Sequence, residues 1–300
     1  MKSNWTTSDI ANLHSKAAVV TGGNIGLGYK SSLELARKGA VVVIACRSED
    51  KGRKAVESIK KEVPNARCDV IPLDLLDKDS IRQFSETFND RYKQLSILLL
   101  NAGVVNLDNL QRSTDGNEMH MATNHLGHFA LTGRLFKVLK DTDNSRVVTV
   151  SSLAYKSGVI DFDDFTWEKR KYDRFKAYGD SKLANLLFMT ELQKKFDSVG
   201  SSAVSVAAHP GLTGTERQQS IGIGGVIARW IASPVSKGCL PQLSAATETN
   251  VKACEFYGPK YGLAGPPSLQ KVKSKLLNKE LSKRLWSFSE ELTGVKYGEE

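Results

Sequence analysis

The chain has 300 residues, 40% hydrophobic and 25% charged, a globular composition long enough to bury a large core without staples. Its net charge is +9, but no basic stripe interleaved with aromatic residues and no nucleic-acid-binding motif goes with it, so no nucleic-acid partner is expected. Cys46, Cys68, Cys239 and Cys254 form neither a CxxC nor a Cys/His metal spacing, which reads as reduced thiols with no metal site.

The polar start, MKSNWTTSDIANLHSK, carries no signal peptide and reads as an N-terminal extension over residues 1–16. No run approaches the ~18 apolar residues of a membrane span. A soluble, cytoplasmic protein is expected.

Ala17–Thr21 is an apolar run too short for a helix, and glycines follow at once. Tyr29–Lys38 then reads as a helix with Leu33 and Ala36 inward, stopped by Gly39. Val41–Cys46 is a second strand and Asp50–Val63 a second helix, closed by Pro64. Val70–Leu73 and Ser80–Tyr92 repeat the pair. Ser96–Leu100 is a nearly pure apolar fourth strand, the pattern of a strand covered on both faces. A long helix is expected over Gly116–Leu139, a fifth strand at Arg146–Val150, a helix at Ala177–Phe196 and a sixth strand at Ala203–Ala207. A last helix over about Val272–Leu292 carries Leu276, Leu277, Leu281, Leu285, Trp286 and Leu292 at helical spacing. Lys271, Lys273, Lys275, Lys279, Lys283 and Arg284 crowd this segment and read as a solvated face.

Alternation of strands and helices predicts an α/β fold, a Rossmann-type doubly wound parallel sheet of about seven strands with helices on both faces, in a single domain. Ala154–Lys176 and Gly211–Pro241 lack a clear period. Long loops in compact domains tend to be functional.

Gly22, Gly26 and Gly28 lie where strand one turns into the first helix, within Thr21-Gly22-Gly23-Asn24-Ile25-Gly26-Leu27-Gly28. Glycines there allow a tight turn and a close backbone approach to a pyrophosphate, which the helix N-terminus then attracts. Strand two ends Ala45-Cys46-Arg47-Ser48 with no carboxylate at its tip. A carboxylate there would hold the ribose of NAD(H), whereas Arg47 can fork onto a 2′-phosphate and Ser48 can add a hydroxyl, so NADP(H) is expected in preference to NAD(H).

Tyr178 and Lys182 lie four apart on a predicted helix and share a face. A neighbouring ammonium favours the phenolate, so Lys182 is expected to lower the Tyr178 pKa toward useful acid–base chemistry. Ser151-Ser152 ends strand five and Asn101-Ala102-Gly103 ends strand four, where sheets of this kind hold ligands, and Asn124 lies in the helix after strand four. His120, His125 and His128 on that helix are split between faces and read as packing or surface residues.

With these motifs in order, the chain resembles the short-chain dehydrogenase/reductase family along essentially its whole length, within the retinol-dehydrogenase and protochlorophyllide-reductase-like branch. The resemblance implies a catalytic tetrad of Asn124, Ser152, Tyr178 and Lys182. It also implies cofactor contacts from Gly22, Asn24, Ile25, Gly26, Leu27, Gly28, Arg47, Ser48, Asp74, Leu75, Asn101, Ala102, Gly103, Tyr178, Lys182, Pro210, Gly211, Thr213 and Thr215. Related sequences usually carry Ser where Ile25 stands, which removes a phosphate-side hydrogen bond without closing the backbone cradle. The closing Leu285–Gly294 stretch resembles the same branch.

The implied reaction is hydride transfer between nicotinamide and a carbonyl/alcohol pair. Ser152 binds the oxygen, Tyr178 handles the proton, Lys182 grips the nicotinamide ribose, and Asn124 holds a water in a relay through Lys182. Ile221, Ile223, Val226, Ile227, Trp230 and Ile231 suit a lid over residues 211–241, and Tyr155, Phe162, Phe165 and Trp167 suit a pocket wall. Together they point to an apolar aldehyde or ketone. The resemblance further implies a homodimer or homotetramer through the helices at Gly116–Leu139 and Ala177–Phe196. The rival readings are a non-catalytic NADP(H)-binding sensor or scaffold, and an extended-family epimerase or dehydratase. The latter would show TGxxGxxG and a larger C-terminal domain, and this sequence has neither.

Overall fold

Strand side chains that are apolar at consecutive positions find cover on both sides of one sheet. The computed structural model describes residues 4–212, 234–273 and 276–298. Within them lie β1 (Ala17–Thr21), β2 (Val41–Cys46), β3 (Arg67–Pro72), β4 (Ile97–Leu100), β5 (Arg146–Val150), β6 (Val204–Ala208), β7 (Phe256–Pro259) and β8 (Pro267–Leu269). They form one sheet in the order β3-β2-β1-β4-β5-β6-β7-β8. Pairing is parallel from β3 through β7, and β8 closes the edge antiparallel to β7.

The helices are α1 (Gly26–Arg37), α2 (Glu49–Glu62), α3 (Lys78–Arg91), α4 (Met119–Met121), α5 (Gly127–Arg134), α6 (Phe136–Asp141), α7 (Arg174–Ser198), α8 (Val235–Gly238), α9 (Leu240–Thr247) and α10 (Lys279–Thr293). Alternate strand residues divide between the two faces. Ala18, Val20, Val42, Ile44, Ile97 and Leu99 pack with Leu33 and Leu35 of α1, Ile59 of α2 and Leu243 of α9. Val19, Val43, Ala45, Leu98 and Leu100 pack with Phe84 and Phe88 of α3, Phe129 of α5 and Phe188 of α7. This two-sided burial is why the strands read as apolar runs rather than as alternating patterns. A third cluster joins Leu183, Leu186 and Leu187 of α7 to Tyr155, Phe256 and Leu285 of α10.

The doubly wound, mostly parallel sheet is the expected one, with eight strands among the described residues, while several details need correcting. β7 and β8 escaped notice because they are short and lie in a Gly- and Pro-rich stretch without alternation. The helix expected over Gly116–Leu139 is broken. Gly116 has φ +81 and stands outside it. A π turn at Ala122–Leu126 separates α4 from α5, and Leu135 interrupts the run before α6. The last helix begins only after Asn278, whose side chain accepts from the N–H groups of Glu280 and Leu281, and it stops at left-handed Gly294.

The N-terminal extension is docked, with Trp5, Ile10 and Leu13 buried in the core. Of the expected lid, Ile221, Ile223, Val226, Ile227, Trp230 and Ile231 lie outside the described residues. Its end, residues 234–241, holds α8 and the start of α9, with Cys239 between them fully buried.

Candidate active site

The order β2-β1-β4-β5 makes β1 and β4 the point where connections leave for opposite faces, so a crevice opens beyond their carboxyl ends. The glycine turn lies on one side of that crevice and the turn after β4 on the other. Gly22 and Gly26 have φ +63 and +58, backbone that L side chains rarely adopt. A Cβ on Gly28 would sit 2.2 Å from the Gly22 carbonyl oxygen, so α1 presses directly on the turn. A Cβ on Gly26 would meet nothing within 4 Å, so that side of the turn is open. Ile25 precedes α1 without capping it, which leaves the first-turn N–H groups for an anion, while Ile25 itself is 52% exposed. Asn24 and Leu27 are half-buried beside it.

At the tip of β2, Arg47 is exposed and makes no salt bridge among the described residues. The Ser48 oxygen accepts from Lys51 N–H and caps α2, and its own hydroxyl hydrogen remains to donate. Glu49 pairs with Arg53 on the helix, one turn on from that tip. Asp74 organises the loop after β3, accepting at Oδ1 from Leu76 N–H at 3.0 Å, and Leu75 beside it is buried.

Asn101 bridges the two turns, donating from Nδ2 to the Thr21 carbonyl at 2.9 Å and accepting at Oδ1 from Gln242. Ala102 lies 3.3 Å from where a Gly22 side chain would start. A Cβ on Gly103 would come 2.9 Å from Asn124 Oδ1 and 3.8 Å from Lys182 Nζ, so both of those residues face the same gap.

The four residues expected to act together do converge. Helix α7 is clamped to the end of β5, since Ser151 Oγ donates to the Lys182 carbonyl and both Lys182 Nζ and Asn185 Nδ2 donate to Val150 O. This sets Tyr178 beside Ser152, whose hydroxyl favours the ionised phenol. The Asn124 side chain is fully buried. It accepts from Val104 N–H at 2.7 Å and donates to Val104 O and Ser181 Oγ. His209 is buried, and left-handed Gly211 fits tightly under the Leu263 carbonyl with Pro210 leading into it. Thr213 and Thr215 lie outside the described residues.

The electrostatics differ from expectation at one point. Burial raises the Tyr178 phenol above its ordinary value, with the Ser152 hydrogen bond as the opposing influence. The anticipated lowering by Lys182 is not seen, because its amine is turned to the Val150 carbonyl and lies 5.5 Å from the ring centre. Lys182 itself is 4% exposed, and burial brings its pKa down from 10.5 to about 8.

The expected pocket wall also changes. Tyr155, Phe165 and Trp167 are core residues, the first stacked edge-on with Phe256 and the second with Phe288. Phe162 also meets Phe288 edge-on. Arg170 pins this loop, with its guanidinium 3.7 Å over Trp167 and ion pairs to Asp164 and Asp180. These rings lie apart in sequence from the partners that bury them, so spacing could not separate core from pocket.

Sequence reasoning missed Thr21, His128, Ser181, Asn185 and Gln242, all of which hold the tetrad or the turns. Ser181 and Asn185 could have been found as helix neighbours of Lys182, one residue before it and three after it. It also missed a buried pair beside the tyrosine. His120 bonds Glu118 at 2.8 Å and meets the Tyr178 ring edge-on at 5.8 Å.

The sequence pattern of the family described as short chain dehydrogenase matches residues 16–224. Retinol dehydrogenase 12 of Mus musculus is 40% identical over 283 residues, spanning 94% of this chain and 87% of that protein. Retinol dehydrogenase 13 of Homo sapiens is 36% identical, spanning 95% and 87%. An uncharacterized protein of known structure from Mycobacterium paratuberculosis is 34% identical with a TM-score of 0.83, covering 99% of this chain and 100% of that one. A short-chain dehydrogenase from Shigella flexneri, complexed with NADP, shares the fold at 21% identity and a TM-score of 0.67, covering 82% and 97%.

Proposed function

Because the chain belongs to the short-chain dehydrogenase family and is an oxidoreductase of its retinol-dehydrogenase-like branch, we propose that it transfers hydride between NADP(H) and an apolar aldehyde or ketone. Tyr178 is the acid/base in this reading. The observation that carries it is the convergence of the Ser152 and Tyr178 hydroxyls at the end of β5, with Lys182 and Asn124 behind them.

The residues present fit the dinucleotide. The open side at Gly26, the uncapped start of α1 and the close Gly22–Gly28 contact suit a pyrophosphate. An exposed Arg47 in place of a carboxylate at the β2 tip favours a 2′-phosphate, and the NADP complex of the Shigella protein is consistent with it. Asp74, Leu75, Asn101, Ala102, Gly103, Pro210 and Gly211, which follow the ends of β3, β4 and β6, are assigned to the same crevice, and so are Thr213 and Thr215 from the family alone.

When bound, NADPH supplies the hydride. Ser152 donates a hydrogen bond to the carbonyl oxygen and steadies the negative charge that grows there. Tyr178 gives that oxygen its proton, and a phenol whose pKa burial has raised stays protonated for this step in the reductive direction. Lys182, with its ammonium weakened to about 8, can pass a proton on to the tyrosine. Both amide hydrogens of Asn124 are committed to Val104 and Ser181. In this reading its backbone carbonyl accepts from the relay water.

The test is a panel of aldehydes and ketones, nonanal and all-trans-retinal among them, followed by NADPH and NADH absorbance in parallel. Reduction of an apolar carbonyl with NADPH preferred is expected. Tyr178→Phe should lower turnover by about 100- to 10,000-fold and leave NADPH affinity in place. Turnover that survives this change, or a preference for NADH, sinks the reading; a sensor or scaffold would keep its function in the Phe variant.

A further inference from the structure

Thr21, the last residue of β1, stands at the centre of a hydrogen-bond chain whose every direction can be assigned. Its hydroxyl oxygen lies 2.9 Å from the backbone nitrogens of both Asn101 and Ala102. Those N–H groups can only donate, so they occupy both lone pairs of the oxygen. The single Thr21 hydroxyl hydrogen then has two acceptors within reach, His128 Nε2 at 2.9 Å and Leu99 O at 3.4 Å. The shorter contact is the stronger one.

It follows that Nε2 of His128 is bare and the ring carries its proton on Nδ1. That nitrogen lies 3.1 Å from the carbonyl of Asn124 and donates to it. A doubly protonated ring would point an N–H at an oxygen that has no lone pair left. His128 is 2% exposed, and burial lowers its pKa to about 4, in keeping with a neutral ring.

The Asn124 carbonyl belongs to the π turn at Ala122–Leu126, where Gly127 N–H reaches back five residues to Ala122 O. Regular four-residue pairing is broken there, and such bulges concentrate at functional sites. A carbonyl in a loosened turn needs an outside anchor if it is to hold one direction.

We propose that His128 is a positioning residue, its neutral ring holding the Asn124 carbonyl with one nitrogen and the Thr21 hydroxyl with the other. The relay carbonyl is thereby tied to the Asn101–Gly103 turn that borders the dinucleotide. The role assigned to that carbonyl rests on the function proposed above. Nothing in the sequence marks His128, since Thr21 stands 107 residues earlier.

The two bonds can be cut separately. His128→Leu removes both, and about tenfold losses are expected in kcat and in NADPH affinity, each the usual consequence of an unmet buried partner. His128→Asn places an amide N–H where Nδ1 stands. It should bring kcat back to within about threefold of the parent while NADPH affinity stays weak. His128→Gln places an acceptor where Nε2 stands and should rescue affinity but not kcat. If all three variants lose kcat and affinity together, in step with thermal stability, His128 is only structural and the proposal falls.

A second measurement does not depend on the variants folding or on any turnover. Long-range 1H–15N correlation spectra of the 15N-histidine-labelled protein at pH 7 should show His128 as the neutral Nδ1–H tautomer. An Nε2–H tautomer or a charged ring overturns the assignment. A correct tautomer in a protein that reduces no carbonyl would instead condemn the functional reading and leave the hydrogen-bond chain standing.

Discussion

Replacing Lys182 with methionine should make the protein more stable and less active. The amine is 4% exposed, and its pKa falls from 10.5 to about 8 because burial strips water from the ammonium. At 1.36 kcal/mol per pH unit, that fall corresponds to about 3 kcal/mol held against the folded state whenever the lysine is charged in both states. The hydrogen bond lost is to Val150 O, which keeps the Asn185 amide at 3.1 Å, so no acceptor is orphaned. Methionine fills a similar volume without a charge.

The pH dependence gives the sharper check. Below about pH 8 both folded and unfolded lysines are protonated, so the variant's advantage is complete and constant. Between about 8 and 10.5 the unfolded chain binds the extra proton. Parent stability therefore rises with pH relative to the variant, and the advantage fades to nothing near 10.5. Urea midpoints for both proteins at several pH values from neutral to strongly alkaline would trace this window. A variant less stable than the parent at pH 7, or an advantage that does not change with pH, would refute the reasoning.

Gly28→Ala should lower stability by about 1–3 kcal/mol and weaken NADPH binding, because the new Cβ starts 2.2 Å from the Gly22 carbonyl oxygen; unchanged urea midpoint and NADPH titration would contradict the tight turn. Trp286→Ala removes a 5%-exposed ring that meets Phe129 at 4.9 Å and Tyr297 at 4.5 Å and stacks on Phe188. A loss of about 3–5 kcal/mol is expected in chemical denaturation, and one below about 1 kcal/mol would show that α10 is not part of the core. Arg47→Ala should weaken NADPH binding about tenfold with NADH binding unmoved, and fluorescence titration of the two cofactors would expose an arginine that touches neither.

The sequence alone determined the elements whose physics is local. β1, β2 and β5 lie where mostly apolar runs too short for helices predict them, because strands covered on both faces bury side chains at successive positions. The glycine turn is legible because glycine adopts the left-handed backbone at Gly22 and Gly26 without steric cost. The Tyr178–Lys182 pair is legible because four residues bring a helix back to one face. Tertiary structure alone decided whatever depends on groups far apart in the chain. Whether Tyr155 and Phe165 wall a pocket or fill the core depended on Phe256 and Phe288, about a hundred residues later. The direction of the Tyr178 pKa depended on how much water the folded chain removes and on where the Lys182 amine turns. The π turn at Asn124 and the ring of His128 that spans it to Thr21 came from the meeting of a helix with the carboxyl end of a central strand. Propensity and spacing describe a segment by itself, whereas desolvation and hydrogen-bond direction are properties of the neighbours that folding supplies.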